Sequence, residues 1–246
     1  MGRQRIKFDF LVHDLKVPLA VIEAGVVSLL QKTEKYGPLT EKQQKVLKRV
    51  LRNTMVTKNL VNDAMELGRS SRGIINKTTF SLSSFLEQSL VEIFDLTDSS
   101  VADRIRGCLD LSVFKDTLVK RGISLDIDER LWCRTVCLDE SKIKQILRNL
   151  LNNAMKYRKD CIGLKIEDRD ESLFISVSDD GDGIPADYHE KIFQCYFQMD
   201  MESDHCVRGH GLGLAGVMVL IEDMGGKLFL ESDVGRGATF SITLPL

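Results

Sequence analysis

Apolar residues recur every three or four positions through the N-terminal part of the chain and every second position through much of the C-terminal part. Leu11, Leu15, Pro18, Ile22, Val26 and Leu29 form one stripe at helical spacing, which predicts a single helix over 7–35. At ~100° per residue His13 projects almost opposite that stripe, toward solvent. Pro18 removes one backbone hydrogen bond and predicts a local bend. Tyr36-Gly37-Pro38-Leu39 ends the helix, and Thr40 followed by Gln43 is a capping box that opens a second one. Leu47, Val50, Leu51, Leu60, Val61 and Ala64 carry that helix to about Leu67. Two helices and a short turn make a hairpin with too little core of its own, so two chains are expected to pair as a four-helix bundle.

Ser70-Ser71-Arg72-Gly73 reads as a hinge, dividing the chain into 1–70 and 71–246. A short strand over Thr78 to Leu82 and a helix over Ser83 to Phe94 follow. Residues 95–112 are the least legible and are expected to add a helix and a loop. Leu118 to Gly122 leads into strands at Ile123 to Ile127 and Cys133 to Leu138, a helix at Lys142 to Tyr157, and strands at Ile162 to Glu167, Leu173 to Ser178, Lys227 to Glu231 and Thr239 to Leu244. The expected class is therefore α+β: a helical hairpin, then a sheet covered on one face by helices.

The chemistry concentrates in two glycine clusters, Asp179-Asp180-Gly181-Asp182-Gly183 and Gly209-His210-Gly211-Leu212-Gly213. Glycine lets backbone N–H groups approach a phosphate with no Cβ in the way. The second cluster runs straight into a helical pattern, where amides at a helix N-terminus favour anions. Neither cluster follows a Rossmann or P-loop order. In the helix before them, Asn149, Asn153 and Lys156 share one face, and a carboxamide oxygen there is a suitable ligand for Mg²⁺ beside nucleotide phosphates.

Taken together, these motifs resemble the ATP-binding domain of sensor histidine kinases, the Bergerat-type α/β-sandwich ATPase fold. The likeness rests on the N-box (Asn149 to Tyr157), the first glycine box (Asp179, Gly181, Gly183), an F-box-like Ile192-Phe193-Gln-Cys-Tyr-Phe197, the second glycine box (Gly209, Gly211, Gly213) and Gly235-Arg-Gly237-Ala-Thr239-Phe240. It extends to the N-terminus, where His13, Asp14 and Pro18 match the H-box pattern, and so spans residues 7 to 246. The resemblance implies that ATP phosphorylates His13, with Asp14 as general base, and that the phosphoryl group passes to an aspartate on a response regulator receiver domain. It further implies that Asp179 accepts the adenine amino group, supported by the Thr239 hydroxyl, while Gly181 and Gly183 shape the pocket near the base. Asn153 would ligate Mg²⁺ with Asn149 assisting, Lys156 would reach the phosphates, Tyr157 would pack beside the adenine, and Gly209, Gly211 and Gly213 would offer amides to phosphate. Phe193 and Phe197 would anchor a lid over Met199 to Arg208, although plain core packing accounts for two aromatics almost as well. The hinge must let His13 and the γ-phosphate meet.

Departures from the pattern carry expectations too. Val17, four after the histidine, stands where kinases that also dephosphorylate their partner often carry Thr or Asn, and valine cannot orient a water. Asp180 stands where Asn is common; with Asp179 and Asp182 it predicts three carboxylates raising one another's pKa. Cys195 replaces a frequent Pro and His210 a frequent Thr.

Bulk composition narrows the alternatives. The chain has 246 residues, 43% hydrophobic and 28% charged, enough for a packed core of one large or two modest domains. A net charge of −2 with no basic block argues against nucleic-acid binding. No apolar run approaches the ~20 residues of a membrane span. The six cysteines lack a CxxC pair and read as reduced thiols, so a cytoplasmic location is expected, with Cys195 and Cys206 near the lid the pair to watch. With no receiver or sensor domain recognisable, the expectation is a soluble kinase or the catalytic core of a longer one. Another ATPase of this fold, or a dimeric ATP-binding scaffold without turnover, remains the alternative.

Overall fold

The Thr40–Gln43 capping box forms as its sequence requires. The Thr40 N–H donates to Gln43 Oε1 at 2.9 Å, and the Gln43 N–H donates to Thr40 Oγ1 at 3.3 Å. In this computed structural model residues 2–70, 75–195, 197 and 211–246 are described, with backbone alone at 2–13, 56, 59, 60, 62–70, 96 and 97. The chain divides into two compact units, Met1–Ser71 and Arg72–Leu246.

The first unit is a hairpin. Helix α1 (Gly2–Gln31) contains Pro18, α2 (Thr33–Tyr36) is a single turn, and α3 (Glu41–Ser70) returns along α1. The helix expected over 7–35 is thus interrupted: Lys32 leaves helical dihedrals (φ −98°, ψ 62°), a break that no proline or glycine announces. Gly37, at φ +83°, makes the turn. Lys58 Nζ meets Glu23 Oε2 at 2.7 Å across the hairpin. Among the described side chains of this unit, Val26 is buried, while Leu15, Val17, Val21, Ile22, Val46 and Val50 are exposed.

The second unit begins with β1 (Thr78–Ser81) and α4 (Leu82–Thr97). It continues through α5 (Ser99–Ile105), α6 (Leu111–Val119), β2 (Ile123–Asp126), α7 (Glu129–Trp132) and β3 (Thr135–Leu138). Next come α8 (Glu140–Tyr157), β4 (Ile162–Arg169) and β5 (Ser172–Asp179). Beyond them lie α9 (Gly213–Asp223), β6 (Lys227–Ser232) and β7 (Ala238–Pro245). Strands β1 and β3 pair antiparallel as a small sheet, and a five-stranded sheet runs β2–β4–β5–β7–β6. Only β2 and β4 pair parallel within it; the other neighbours are antiparallel.

One face of the large sheet carries the core. Leu173, Ile175 and Val177 of β5 and Ala238, Phe240, Ile242 and Leu244 of β7 are buried there with Ile146, Leu147, Leu150 and Leu151 of α8. The opposite face is mostly polar, though it also carries Phe174 and Phe229: Ser241 Oγ donates to Ser176 Oγ there at 3.0 Å. This is the α+β layering expected from the strand and helix pattern.

Two short helices fall where none was expected, at 111–119 and 129–132. Each is set by an aspartate cap. The Asp110 carboxylate accepts the Ser112 and Val113 N–H groups at 2.8 and 3.1 Å, and Asp128 accepts the Leu131 N–H at 2.6 Å. Because α7 ends at Cys133, the strand expected from Cys133 begins only at Thr135. Asp98 caps α5 in the same way, supplying the extra helix expected within 95–112.

Candidate functional site

Helix α8 is built to present one polar edge. Asp139 caps it by accepting the Lys142 N–H at 3.2 Å, and Ile143, Ile146, Leu147, Leu150, Leu151 and Ala154 are buried on its inner side. Asn149, Asn153 and Lys156 are left half-buried along the polar edge and Tyr157 exposed at its end. Asn149 Nδ2 donates to the Gly213 carbonyl at 3.3 Å, and Lys142 Nζ meets Asp223 Oδ2 at 2.9 Å. Those two ties make α8 and α9 antiparallel and put the N-terminal turn of α9, with its outward amides, beside Asn149. Gly211, at φ +67°, leads into that turn. Asn153 lies one helical turn beyond Asn149, offering a carboxamide oxygen. Lys156 Nζ is turned onto its neighbour: it donates to the Tyr157 hydroxyl at 2.9 Å and stands 4.6 Å from the ring centroid.

Asp179 ends β5, half-buried. Burial pushes its carboxyl above the usual aspartate range, against the pull of the Gly181 and Ala238 N–H groups; Asp180 adds the smallest upward contribution. The Gly181 N–H donates to Asp179 Oδ1 at 3.0 Å. A Cβ on Gly181 would run into that same oxygen and the Tyr157 carbonyl, and one on Gly237, at φ +78°, into the Asp179 carbonyl. Close backbone approach therefore demands both glycines, and through them the end of α8, the first glycine box and the β6–β7 turn converge on Asp179. Gly183 packs in the same turn, against the Asp233 carbonyl. Ser232, which the sequence did not single out, bridges these loops: it accepts the Ile184 N–H at 2.8 Å and donates to the Gly237 carbonyl at 2.6 Å.

Two expectations need correction. Thr239 does not face Asp179. The β5–β7 register sets Ala238 opposite Asp179 and Thr239 opposite Ser178, and alternation sends the Thr239 side chain to the polar face of the sheet. Nor do the three carboxylates all raise one another: Asp180 adds only a minor push to Asp179, and Asp180 itself is lowered. Burial pushes the Asp180 carboxyl up, but the N–H groups of Asp160, Cys161 and Lys159 and the Cys161 thiol outweigh it and hold the group at about 2. Asp182 pairs with Lys159 Nζ at 2.6 Å.

The F-box aromatics pack on the fold: Phe193 meets Phe240 edge-on at 6.3 Å between centroids, and Phe197 lies 5.8 Å from Tyr188. A groove of about 340 Å³ between α9 and the edge strand β6 is lined by Phe193, Met218, Leu228 and Leu230, and none of the predicted nucleotide contacts reaches it. His13 and Asp14 lie on α1, with Asp14 exposed. The His13 side chain, Gly209, His210, Cys206, the lid over Met199 to Arg208 and the hinge from Ser71 to Gly73 lie outside the described residues. Among the described residues, no group of three or more His, Cys, Asp or Glu could hold a metal ion, and no helix is long and apolar enough to cross a membrane.

A sheet with helices on one face, converging on a half-buried aspartate between glycine turns, is the arrangement expected of a Bergerat-type ATP-binding domain. Residues 138–246 match the histidine kinase-, DNA gyrase B- and HSP90-like ATPase family, and residues 8–73 match the His Kinase A (phospho-acceptor) domain. The chain belongs to the sensor histidine kinases. It is 30% identical to the circadian input-output histidine kinase CikA of Synechococcus elongatus, over 97% of this chain and 30% of that protein. It is 27% identical to the sensor histidine kinase WalK of Bacillus subtilis, over 100% of this chain and 37% of that one. The chain thus spans about a third of these relatives. Full-length ShkA in complex with AMPPNP shares the fold at a TM-score of 0.67 and 24% identity, covering 97% of this chain and 45% of that one. Acinetobacter baumannii histidine kinase AdeS does so at 0.57 and 19%, covering 95% and 97%.

Proposed function

We propose that the chain is an ATP-dependent protein-histidine kinase that phosphorylates its own His13 and passes the phosphoryl group to an aspartate on a response regulator receiver domain. Residues 1–70 would serve as dimerisation and phosphoacceptor hairpin and 71–246 as catalytic ATP-binding domain. The observation that carries this reading is Asp179: a half-buried carboxylate, raised by burial, set between glycine turns at the end of α8, in a chain that also matches the phospho-acceptor domain.

In the proposed reaction a ring nitrogen of His13 bonds to the γ-phosphorus as the bridging P–O bond breaks and ADP leaves, and Asp14 takes the ring proton. Asp179 accepts the adenine amino group. The amides at Gly211 and Gly213 (with Gly209) and the Lys156 ammonium neutralise phosphate charge, for which Lys156 must turn away from Tyr157. Asn153, assisted by Asn149, is the oxygen donor suited to Mg²⁺ next to phosphates; bound there, the ion would supply further charge neutralisation. A homodimer is the state in which the hairpin's exposed stripe is covered.

Incubation with γ-labelled ATP and Mg²⁺ tests this. Wild type is expected to gain acid-labile, alkali-stable label, His13→Ala to lose it while still binding nucleotide, and Asp179→Asn to lose it through lost binding. Label that survives in His13→Ala, or a chain that takes up no nucleotide, overturns the proposal.

A further inference from the structure

Asp180 has no part in the scheme above, yet its carboxylate is gripped from one side by an entire loop. It accepts the N–H groups of Lys159 at 2.9 Å, Asp160 at 3.1 Å to each oxygen and Cys161 at 3.0 Å, with the Cys161 thiol donating at 3.3 Å. Every partner is a donor. Two carboxylate oxygens satisfy that set, whereas an asparagine would turn an NH₂ toward part of it. Held at about 2, the group stays ionised throughout any working pH range.

The loop so gripped joins α8 to β4 and directly follows Tyr157. It is backed on its far side by the turn before β2: Arg158 Nη1 donates to the Arg121 carbonyl at 2.8 Å, and a Cβ on Gly122 would strike the Asp160 carbonyl. The adjoining Lys159–Asp182 pair is exposed and adds little. Asp180 therefore ties the C-terminus of α8 to the backbone that carries Asp179, one residue away. Adenine offers an amino group where guanine offers a carbonyl oxygen, so the discrimination available to Asp179 depends on where its carboxylate stands relative to that edge.

We propose that Asp180 is a positioning residue for base recognition, clamping the 159–161 backbone so that Asp179 is held where it accepts the adenine amino group and repels the guanine carbonyl. The proposal rests on the nucleotide-binding half of the kinase reading.

ATP and GTP binding to the full chain, measured by displacement of a fluorescent nucleotide, tests it. Asp180→Asn is expected to weaken ATP about tenfold and GTP hardly at all, so that the ATP/GTP preference falls about tenfold, the scale of one misplaced hydrogen bond. At saturating ATP the labelling rate of His13 should stay within about twofold, since the clamp acts on binding. Asp180→Glu, which keeps both oxygens, should fall between wild type and Asn. A preference unchanged within about twofold, or equal weakening of both nucleotides as from general loosening, overturns the clamp. Should the asparagine variant not fold, an unchanged preference in Asp180→Glu does so instead. A wild type that binds ATP but labels elsewhere than His13 sinks the kinase reading and leaves the clamp standing; one that binds neither nucleotide overturns both.

Discussion

Ile22 of the hairpin and Ile146 of α8 are both apolar residues at helical spacing, yet Ile22 is 44% exposed and Ile146 fully buried. The contrast runs through both units. The α/β unit closes its own core around Phe85, Phe114, Leu151, Leu164 and Ile242, all at 0% exposure, whereas the hairpin leaves Val21 67% and Val46 51% exposed. Apolar side chains left open along a helical hairpin are what a second surface would cover. A two-helix hairpin gains its missing face from a second copy, while a sheet with its own helical layer needs none. Within the proposed scheme, the unit that carries the phosphoacceptor depends on assembly, and the unit that holds ATP does not.

The sharpest way to break this comparison is a charge on the stripe. On a solvated surface Ile22→Asp would change stability by no more than about 0.5 kcal/mol. Buried between two hairpins it strands two carboxylates in an apolar seam, at roughly 3 kcal/mol or more. Sedimentation should then show monomers, with His13 labelling lost and nucleotide binding retained. A variant that stays dimeric at micromolar concentration removes the contrast.

Next in size is the buried tie of the α/β unit. Lys142 and Asp223 expose 8% and 14% of their side chains. Lys142→Ala should cost roughly 3 kcal/mol by taking the cation from Asp223, lowering the thermal midpoint by about 6–12 °C. The paired change Lys142→Met with Asp223→Leu should lie much nearer wild type. A midpoint within about 2 °C of wild type in Lys142→Ala would show that the pair does not hold α8 against α9.

Asp179 and Asp180 sharpen the comparison within one loop, because their shifts have opposite signs. A carboxyl raised above its unfolded value contributes stability that is full below the unfolded pKa and lost as pH rises through the folded one; that is Asp179. A depressed carboxyl contributes stability present above the unfolded pKa and lost as pH falls through the folded value, about 2; that is Asp180. At neutral pH, therefore, Asp179→Asn should leave the nucleotide-free protein at least as heat-stable as wild type, while ATP affinity falls by about a hundredfold, the scale of a lost charge-assisted hydrogen bond. ATP affinity of wild type should also begin to fall, on acidification, at a higher pH than an ordinary aspartate would give. Destabilisation of the free protein by Asp179→Asn would contradict the sign.

What the sequence made legible follows the same division. Long amphipathic segments and alternating strands announced themselves because one apolar face must be buried, and α8 and β4 to β7 lie where that period places them. The helices at 111–119 and 129–132 are set instead by single aspartate caps, Asp110 and Asp128, whose signal is one residue against a background of many acids. Glycine-box residues were legible because only glycine tolerates the approach at Gly181 and Gly237. Thr239 misled because a one-residue difference in register reverses which face a side chain takes. Asp180 was visible as a departure, but its role depends on a loop folded back from 159–161, a pairing that no local pattern encodes.

The smallest effect expected is at Val17, four residues after His13 on α1 and 54% exposed. Its isopropyl group neither donates nor accepts, so no water is oriented there for attack on the aspartyl phosphate of a bound regulator. The expectation is a kinase that adds phosphate and hardly removes it. Val17→Thr keeps the shape and supplies a hydroxyl, at little cost on an exposed helical position. Decay of a phosphorylated receiver, followed with and without this protein, should be nearly unaffected by wild type and a few-fold faster with Val17→Thr, the scale of one weak hydrogen bond near 1 kcal/mol. Rapid decay stimulated by wild type itself would mean that the water is held by a group other than residue 17.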